Sequence, residues 1–385
     1  MAVFIVAGAR TPVGAFNGAL KSVSAPDLFA VAAKSAIEKS GLAASDVEEA
    51  YVGCVLQGGV GQAPARQAVL AAGCPDTTEA TTINKVCASG IKAIALAASS
   101  IALGDRKIML AGGMESMSLA PVYLTRGITF GDTQARDAIL ADGLLDAGSK
   151  SHMGIFAEQT AKSVGVSREE QDAYALSSYE RAEAAWSSGV FKEEVVPVTI
   201  KHPKGDTVVA VDEEYSRLQR AKVPTLRPAF AKDGTITAAN ASSLSDGAAA
   251  VVLAGEDTVR ERGLAPLARI VATADAAIAP SDFATAPSQA IPRALARAGL
   301  TTDDIALWEI NEAFAVVAVA NMRLLGLDPA KVNTRGGAVS LGHPLGMSGT
   351  RIVVTLAHAL KQGEYGVAAI CNGGGAASAI VIQRV

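Results

Sequence analysis

A chain of 385 residues, half of them hydrophobic and 19% charged, can bury a large core and is long enough for two or three domain-sized units. Its net charge of -4 excludes a general attraction to nucleic acid or to an anionic membrane, so an anionic ligand must be met by local basic residues. Four cysteines in such a length make no disulfide framework, and without a CxxC pair they make no zinc site; they read as reduced thiols of a cytoplasmic type.

In chain order, the apolar start Met1 to Gly8 is followed at once by Arg10-Thr11-Pro12, which reads as a first strand rather than a signal peptide. No apolar run reaches the roughly 20 residues of a bilayer span. A mature mitochondrial matrix protein whose presequence had been removed would look the same as a cytoplasmic one. A helical pattern ends at Ser40-Gly41 and an apolar strand follows over Glu49 to Val55. Cys87, in Asn84-Lys85-Val86-Cys87-Ala88-Ser89-Gly90, stands where a loop meets the apolar helix Ile91 to Leu103. A thiol at a helix start is favoured as thiolate by the macrodipole; the other reading is a small core cysteine. After Gly104-Asp105 comes a strand, Lys107 to Gly113, apolar enough to be buried on both faces.

The stretch from about Met117 to Ala248 is richer in charge, with a helical segment Arg168 to Trp186 and basic clusters at Lys201 to Lys204 and Arg217 to Lys222. It reads as an insertion between two halves, suited to a lid or a ligand-binding region. The units expected are therefore 1–116, 117–248 and 249–385.

The second half repeats the first. Ser40-Gly41-Leu42-Ala43-Ala44-Ser45-Asp46-Val47 matches Ala298-Gly299-Leu300-Thr301-Thr302-Asp303-Asp304-Ile305 at an offset of 298 − 40 = 258, and Ser89-Gly90 matches Ser348-Gly349 at 348 − 89 = 259. Each Ser-Gly opens an apolar helix that leads into a buried strand ending in glycines, the second being Val367 to Gly374. Alternating strands and helices, duplicated, predict an α/β core of layered, helix-covered sheets with pseudo-twofold symmetry. His343, in a Gly-rich turn, aligns at 343 − 259 = 84, three positions before Cys87. Equivalent loops meeting at the axis would form a Cys–His pair. Cys371, in Cys371-Asn372-Gly373-Gly374-Gly375, ends a buried strand, where glycine N–H groups could bind an oxyanion. Asn311, in Asn311-Glu312-Ala313-Phe314, follows another strand and could simply cap the next helix.

These four segments, in this order and spacing and over the full length, resemble the thiolase family, and most closely its potassium-activated acetoacetyl-CoA members. The resemblance implies a duplicated five-layered α-β-α-β-α core with an inserted coenzyme A-binding loop domain. It implies reversible Claisen condensation of two acetyl-CoA to acetoacetyl-CoA through an acyl-cysteine, with coenzyme A as substrate and no required cofactor. Cys87 would be the nucleophile and His343 its activator, and Cys371 would move the C2 proton. Asn311 would hold a water that, with His343, stabilises the enolate, and the N–H groups of Cys87 and Gly373 would form an oxyanion hole.

By the same resemblance Leu144, His152, Met153, Phe230 and Ser242 would line the pantetheine channel, with Arg217, Arg220 and Lys222 near the nucleotide phosphates. Met153, Phe283 and Phe314 would close a short acyl pocket. Phe283 resembles the segment of relatives that cleave 2-methylacetoacetyl-CoA, although Ala284 stands where they have Pro. Tyr179 and the carbonyls of Ala238, Ala239, Ala241 and Val339 match a potassium site. A homodimer, and through the segment Leu119 to Arg136 a homotetramer, is the implied assembly. The ketoacyl synthases share the fold but use a Cys with two His, or a Cys with His and Asn; here the second basic position is Cys371, and Asn311-Glu312-Ala313-Phe314 stands where they often carry His-Gly-Thr, while a non-catalytic acyl-CoA-binding relative would have lost the nucleophile.

Overall fold

The computed structural model describes residues 1–127 and 130–385. The first half runs β1 (Val3–Arg10), α1 (Ala25–Ser40), β2 (Glu49–Gly53), α2 (Pro64–Ala71), β3 (Glu79–Ile83), α3 (Ser89–Leu103) and β4 (Ile108–Ser116). After the insertion, which contains α4 (Met153–Val164) and α5 (Arg168–Ser188), the chain returns as β5 (Ser245–Gly255). The second half runs β6 (Ala268–Ala277), α6 (Pro287–Ala298), β7 (Ile305–Ile310), α7 (Ala315–Leu325), α8 (Leu345–Ala359), β8 (Tyr365–Asn372) and β9 (Ala376–Arg384).

The strand order is β7-β8-β9-β6-β1-β5-β4-β2-β3. In the first half β2, β3 and β4 are parallel and β5 runs antiparallel between β4 and β1. The second half repeats this order with β7 parallel to β8, and β9 antiparallel to both β8 and β6. Its counterpart of β3 has shrunk to a single parallel bridge between Val332 and Trp308. The halves join through three residue pairs, Val3 to Ile5 with Ala268 to Ile270.

The sheet folds over α3 and α8. These two helices pack against each other and against both halves of the sheet, in a cluster that includes Ile91, Ile94, Ile352, Val353, Ala368 and Ile380. Helices α1 and α2 cover the outside of the first half and α6 and α7 that of the second. The layers are thus α-β-α-β-α, as the resemblance implied. Val86–Leu103 has the hydropathy of a bilayer span. The helix within it has only 15 residues, about 22 Å of rise, and it is the centre of this core.

One boundary differs from the sequence reading. The expected limit at 248/249 falls inside β5, which pairs along its length with β1 and β4 of the first half. The insertion therefore lies inside the first half, between its fourth and fifth strands. An Ala- and Val-rich strand looks alike in either half, and only pairing tells them apart. The insertion is pinned to β1 by a fully buried ion cluster: Arg10 Nε donates to Glu194 at 2.6 Å and its Nη1 to Asp212 at 2.7 Å. Of the segment Leu119 to Arg136, Ile128 and Thr129 lie outside the described residues; Leu119, Val122, Leu124 and Phe130 are exposed.

Candidate active site

Cys87 sits on a sharp elbow between β3 and α3. Asn84 Oδ1 accepts from the Val86 N–H at 2.9 Å, and Ser89 Oγ accepts from Lys85 N–H at 2.8 Å while donating to the Val86 carbonyl at 2.6 Å. These bonds force Val86 to φ +48°, a left-handed conformation that costs a β-branched residue on the order of 1–3 kcal/mol. The strain presents the Cys87 thiol to a cavity. Burial pushes this thiol up to about 12, against N–H contacts from Gly373 and from Cys87 itself that pull it down. The helix start alone led to the expectation of a lowered value. Desolvation outweighs it, so the resting thiol is neutral and requires a base.

A candidate base is at hand. His343 also lines the cavity, and burial, then the charge of Arg351, lowers its imidazole to about 3. Its Nδ1 lies 2.6 Å from Ser348 Oγ, whose own proton goes to the Pro344 carbonyl at 2.9 Å. Ser348 must then accept, so Nδ1 carries the hydrogen and Nε2 keeps its lone pair. Nε2 has no partner in the protein among the described residues.

The repeat explains why the two loops meet. A Cβ built on Gly90 would lie 2.7 Å from Thr350 N, and one on Gly349 would lie 2.7 Å from Ile91 N. The first turns of α3 and α8 therefore cross backbone to backbone at the equivalent Ser-Gly pairs. Ser89 and Ser348 each tie down the loop that precedes their helix.

Cys371, at the end of β8, is buried, and burial followed by the nearby Cys87 pushes its thiol well above the usual range. Asn311 is held by its N–H on the Ala369 carbonyl at 2.9 Å. Its side-chain oxygen and nitrogen are buried and, among the described residues, make no bond within the protein. Unmet polar groups of this kind mark a place where a bound group completes the hydrogen bonding. Asn372 Nδ2 donates to the Gly373 carbonyl at 2.7 Å, fixing the peptide that follows.

The cavity, of about 320 Å³, is lined by Cys87, His343 and Gly373 together with Leu144, His152, Met153, Phe230 and Ser242 from the insertion and Phe283 and Phe314 from the second half. His152 caps α4 by accepting from Gly154 N–H at 3.0 Å and stacks on Phe230 at 4.8 Å. Met153, Phe283, Phe314 and Cys371 pack in one apolar cluster. Arg217, Arg220 and Lys222 are not on this cavity. Arg220 is engaged by Glu180 and Glu183, and Arg217 and Lys222 line a separate recess with Tyr179, Ala238 and Ala239. Val339 packs against Tyr179, whereas Ala241 lines the main cavity.

Sequence reasoning missed Met117, Leu140, Gly143, Ser243, Leu244 and Leu345 in the cavity wall. Leu140 and Gly143 belong to a π-helix, Ile139–Leu144, a form without a sequence signature and common at functional sites. Ser348 was legible only as a repeat marker. A neutral thiol, a base with a committed tautomer, converging N–H donors and a second thiol suit acyl transfer coupled to proton movement at carbon.

Comparison with known proteins agrees with this chemistry. Residues 3–257 match the family model "Thiolase, N-terminal domain" and residues 264–384 match "Thiolase, C-terminal domain". The chain is 57% identical over 386 residues to acetyl-CoA acetyltransferase, mitochondrial, of Bos taurus, covering 100% of this chain and 92% of the relative. It is 56% identical over 384 residues to acetyl-CoA acetyltransferase of Yarrowia lipolytica, covering 100% and 97%. The crystal structure of Acat5 thiolase from Ascaris suum in complex with coenzyme A superposes with a TM-score of 0.97 at 52% identity, covering 100% of both chains. The chain belongs to the thiolase family.

Proposed function

We propose that this protein is an acetyl-CoA C-acetyltransferase, making acetoacetyl-CoA from two acetyl-CoA and cleaving it with coenzyme A. The observation that carries the reading is the convergence of Cys87, His343 and Gly373 on one apolar cavity, three of whose lining residues, Met153, Phe283 and Phe314, cluster with Cys371. In the cleavage direction His343 Nε2 takes the Cys87 proton and the sulfur attacks C3 of acetoacetyl-CoA. The oxyanion is met by the N–H groups of Cys87 and Gly373. The C2–C3 bond breaks, and the Cys371 thiol, held neutral by burial, gives its proton to C2 of the departing acetyl-CoA. Asn311 and His343 support the enolate oxygen meanwhile. Coenzyme A then enters and yields its thiol proton to Cys371. Its sulfur takes the acetyl group, and Cys87 regains its proton from His343.

Met153, Phe283 and Phe314 close the inner end, which favours four-carbon substrates. A 2-methyl branch beside Phe283 is worth about 1–3 kcal/mol of discrimination, so tolerance is graded. Tyr179 with Ala238 and Ala239, backed by Val339, offers hard oxygens suited to a potassium ion behind the insertion, where its charge would stiffen the coenzyme A-binding segment. The assembly is a homotetramer built from dimers. A compartment that keeps four free cysteines reduced, cytoplasm or mitochondrial matrix, suits the site.

The test is kcat/KM for thiolysis of acetoacetyl-, 2-methylacetoacetyl- and 3-ketohexanoyl-CoA, in potassium and in sodium at matched ionic strength. Acetoacetyl-CoA is expected to lead, with higher rates in potassium. A six-carbon substrate that wins would refute the short pocket; equal rates in the two salts would remove the ion.

A further inference from the structure

Beside the reacting groups lies a buried carboxylate that the mechanism does not use. Glu312 has no exposed surface, and its partners are uncharged donors from three other segments. Its Oε1 accepts from Tyr174 Oη at 2.8 Å and from Asn333 Nδ2 at 3.0 Å; its Oε2 accepts from Ser178 Oγ at 2.8 Å and from the Val339 N–H at 3.0 Å. Tyr174 and Ser178 stand on α5 of the insertion. Val339 is in the one-turn helix Ala338–Leu341 that leads into His343. Asn333 occupies the lost third strand of the second half. Its side chain replaces that strand's ladder, accepting from Ile310 N–H and donating to the Ile310 carbonyl, both at 2.8 Å, directly before Asn311. The carboxylate also presses on the His343 turn: a Cβ on Gly337 would lie 2.3 Å from Glu312 Cδ.

We propose that Glu312 is a positioning residue that holds the His343 turn, the Asn311 strand end and helix α5 in one arrangement. His343 and Asn311 then bear on the same substrate oxygen only when the insertion is docked. A buried carboxylate without a cation is expensive unless its lone pairs are met, and here donors fixed to three separate segments meet them. The pattern is also selective against an amide. Each carboxylate oxygen faces one hydroxyl, which can turn to accept, and one N–H donor, which cannot. Either orientation of a glutamine therefore sets its NH₂ against an N–H. This role rests on the thiolase reading above.

The experiment compares Glu312→Gln and the double variant Tyr174→Phe/Ser178→Ala with wild type. Acetoacetyl-CoA thiolysis is expressed per Cys87 titratable with iodoacetamide. A role confined to stability would lower the melting temperature or the titratable fraction and leave kcat per titrated site unchanged. Positioning predicts that kcat per site falls on the order of 10²-fold in Glu312→Gln and about tenfold in the double variant, with KM within about threefold of wild type. If Glu312→Gln fails to fold, the double variant, which keeps the carboxylate and both N–H donors, decides alone. Turnover per site within about twofold of wild type in the folded variants overturns the proposal. Wild type without thiolysis would instead overturn the functional reading.

Discussion

The hydrogen bond from His343 Nδ1 to Ser348 decides which nitrogen can act as a base, and burial decides at what pH it can. With the imidazole lowered to about 3 and the Cys87 thiol raised to about 12, the resting pair is neutral between these values, and the proton moves only as the sulfur attacks. The rate of Cys87 acetylation should therefore stay flat from about pH 5 to 8 rather than fall through the ordinary histidine value near 6.5. Pre-steady-state acetylation against pH checks this; a loss of rate centred near 6.5 would contradict it. The same shift has a stability sign. Between about 6.5 and about 3 the unfolded chain binds a proton that native His343 refuses, so stability falls as the pH drops through that window. Cys87 and His343 were legible because their loops break an apolar pattern with Gly and polar residues. Ser348 and Glu312 were not, since a buried serine or glutamate earns its meaning from partners distant in sequence.

At the level of elements, the crossing of α3 and α8 brings the Cys87 and His343 loops together. The Ser-Gly pairs are the repeat's clearest mark, and the structure gives their reason: only glycine allows the helices to touch at Gly90 and Gly349. Gly349→Ala would place a Cβ 2.7 Å from the Ile91 backbone nitrogen, an overpacking that costs about 1–3 kcal/mol. It should also separate Cys87 from His343, so turnover falls more than the melting temperature suggests. Leu103→Ala, at an 80% exposed position on the far end of α3, should stay within about 0.5 kcal/mol. Thermal melts and turnover on both variants decide; equal behaviour would mean that the crossing is not what sets the site. The π-helix Ile139–Leu144 and the shrunken third strand at Val332 were invisible in sequence, because both depend on pairing and packing rather than on residue pattern.

Across the whole molecule the duplication was readable from two offsets, and with it the layered core. The placement of β5 was not, since a strand apolar on both faces carries no sign of its neighbours. The insertion consequently belongs to the first half, pinned there by Arg10, and reaches across to line the cavity and to bind Glu312. In the proposed reaction, which draws on both halves and the insertion, Cys87 carries the acyl group and Cys371 the proton. The measurement that reaches this claim most directly is peptide mass spectrometry of Cys371→Ala after incubation with acetyl-CoA, alongside assay of acetoacetyl-CoA formation. One acetyl group should accumulate on Cys87, while carbon–carbon bond formation falls on the order of 10²-fold or more, the scale of a lost general acid–base group. An acetyl group on another residue, or condensation at the wild-type rate, would contradict the account.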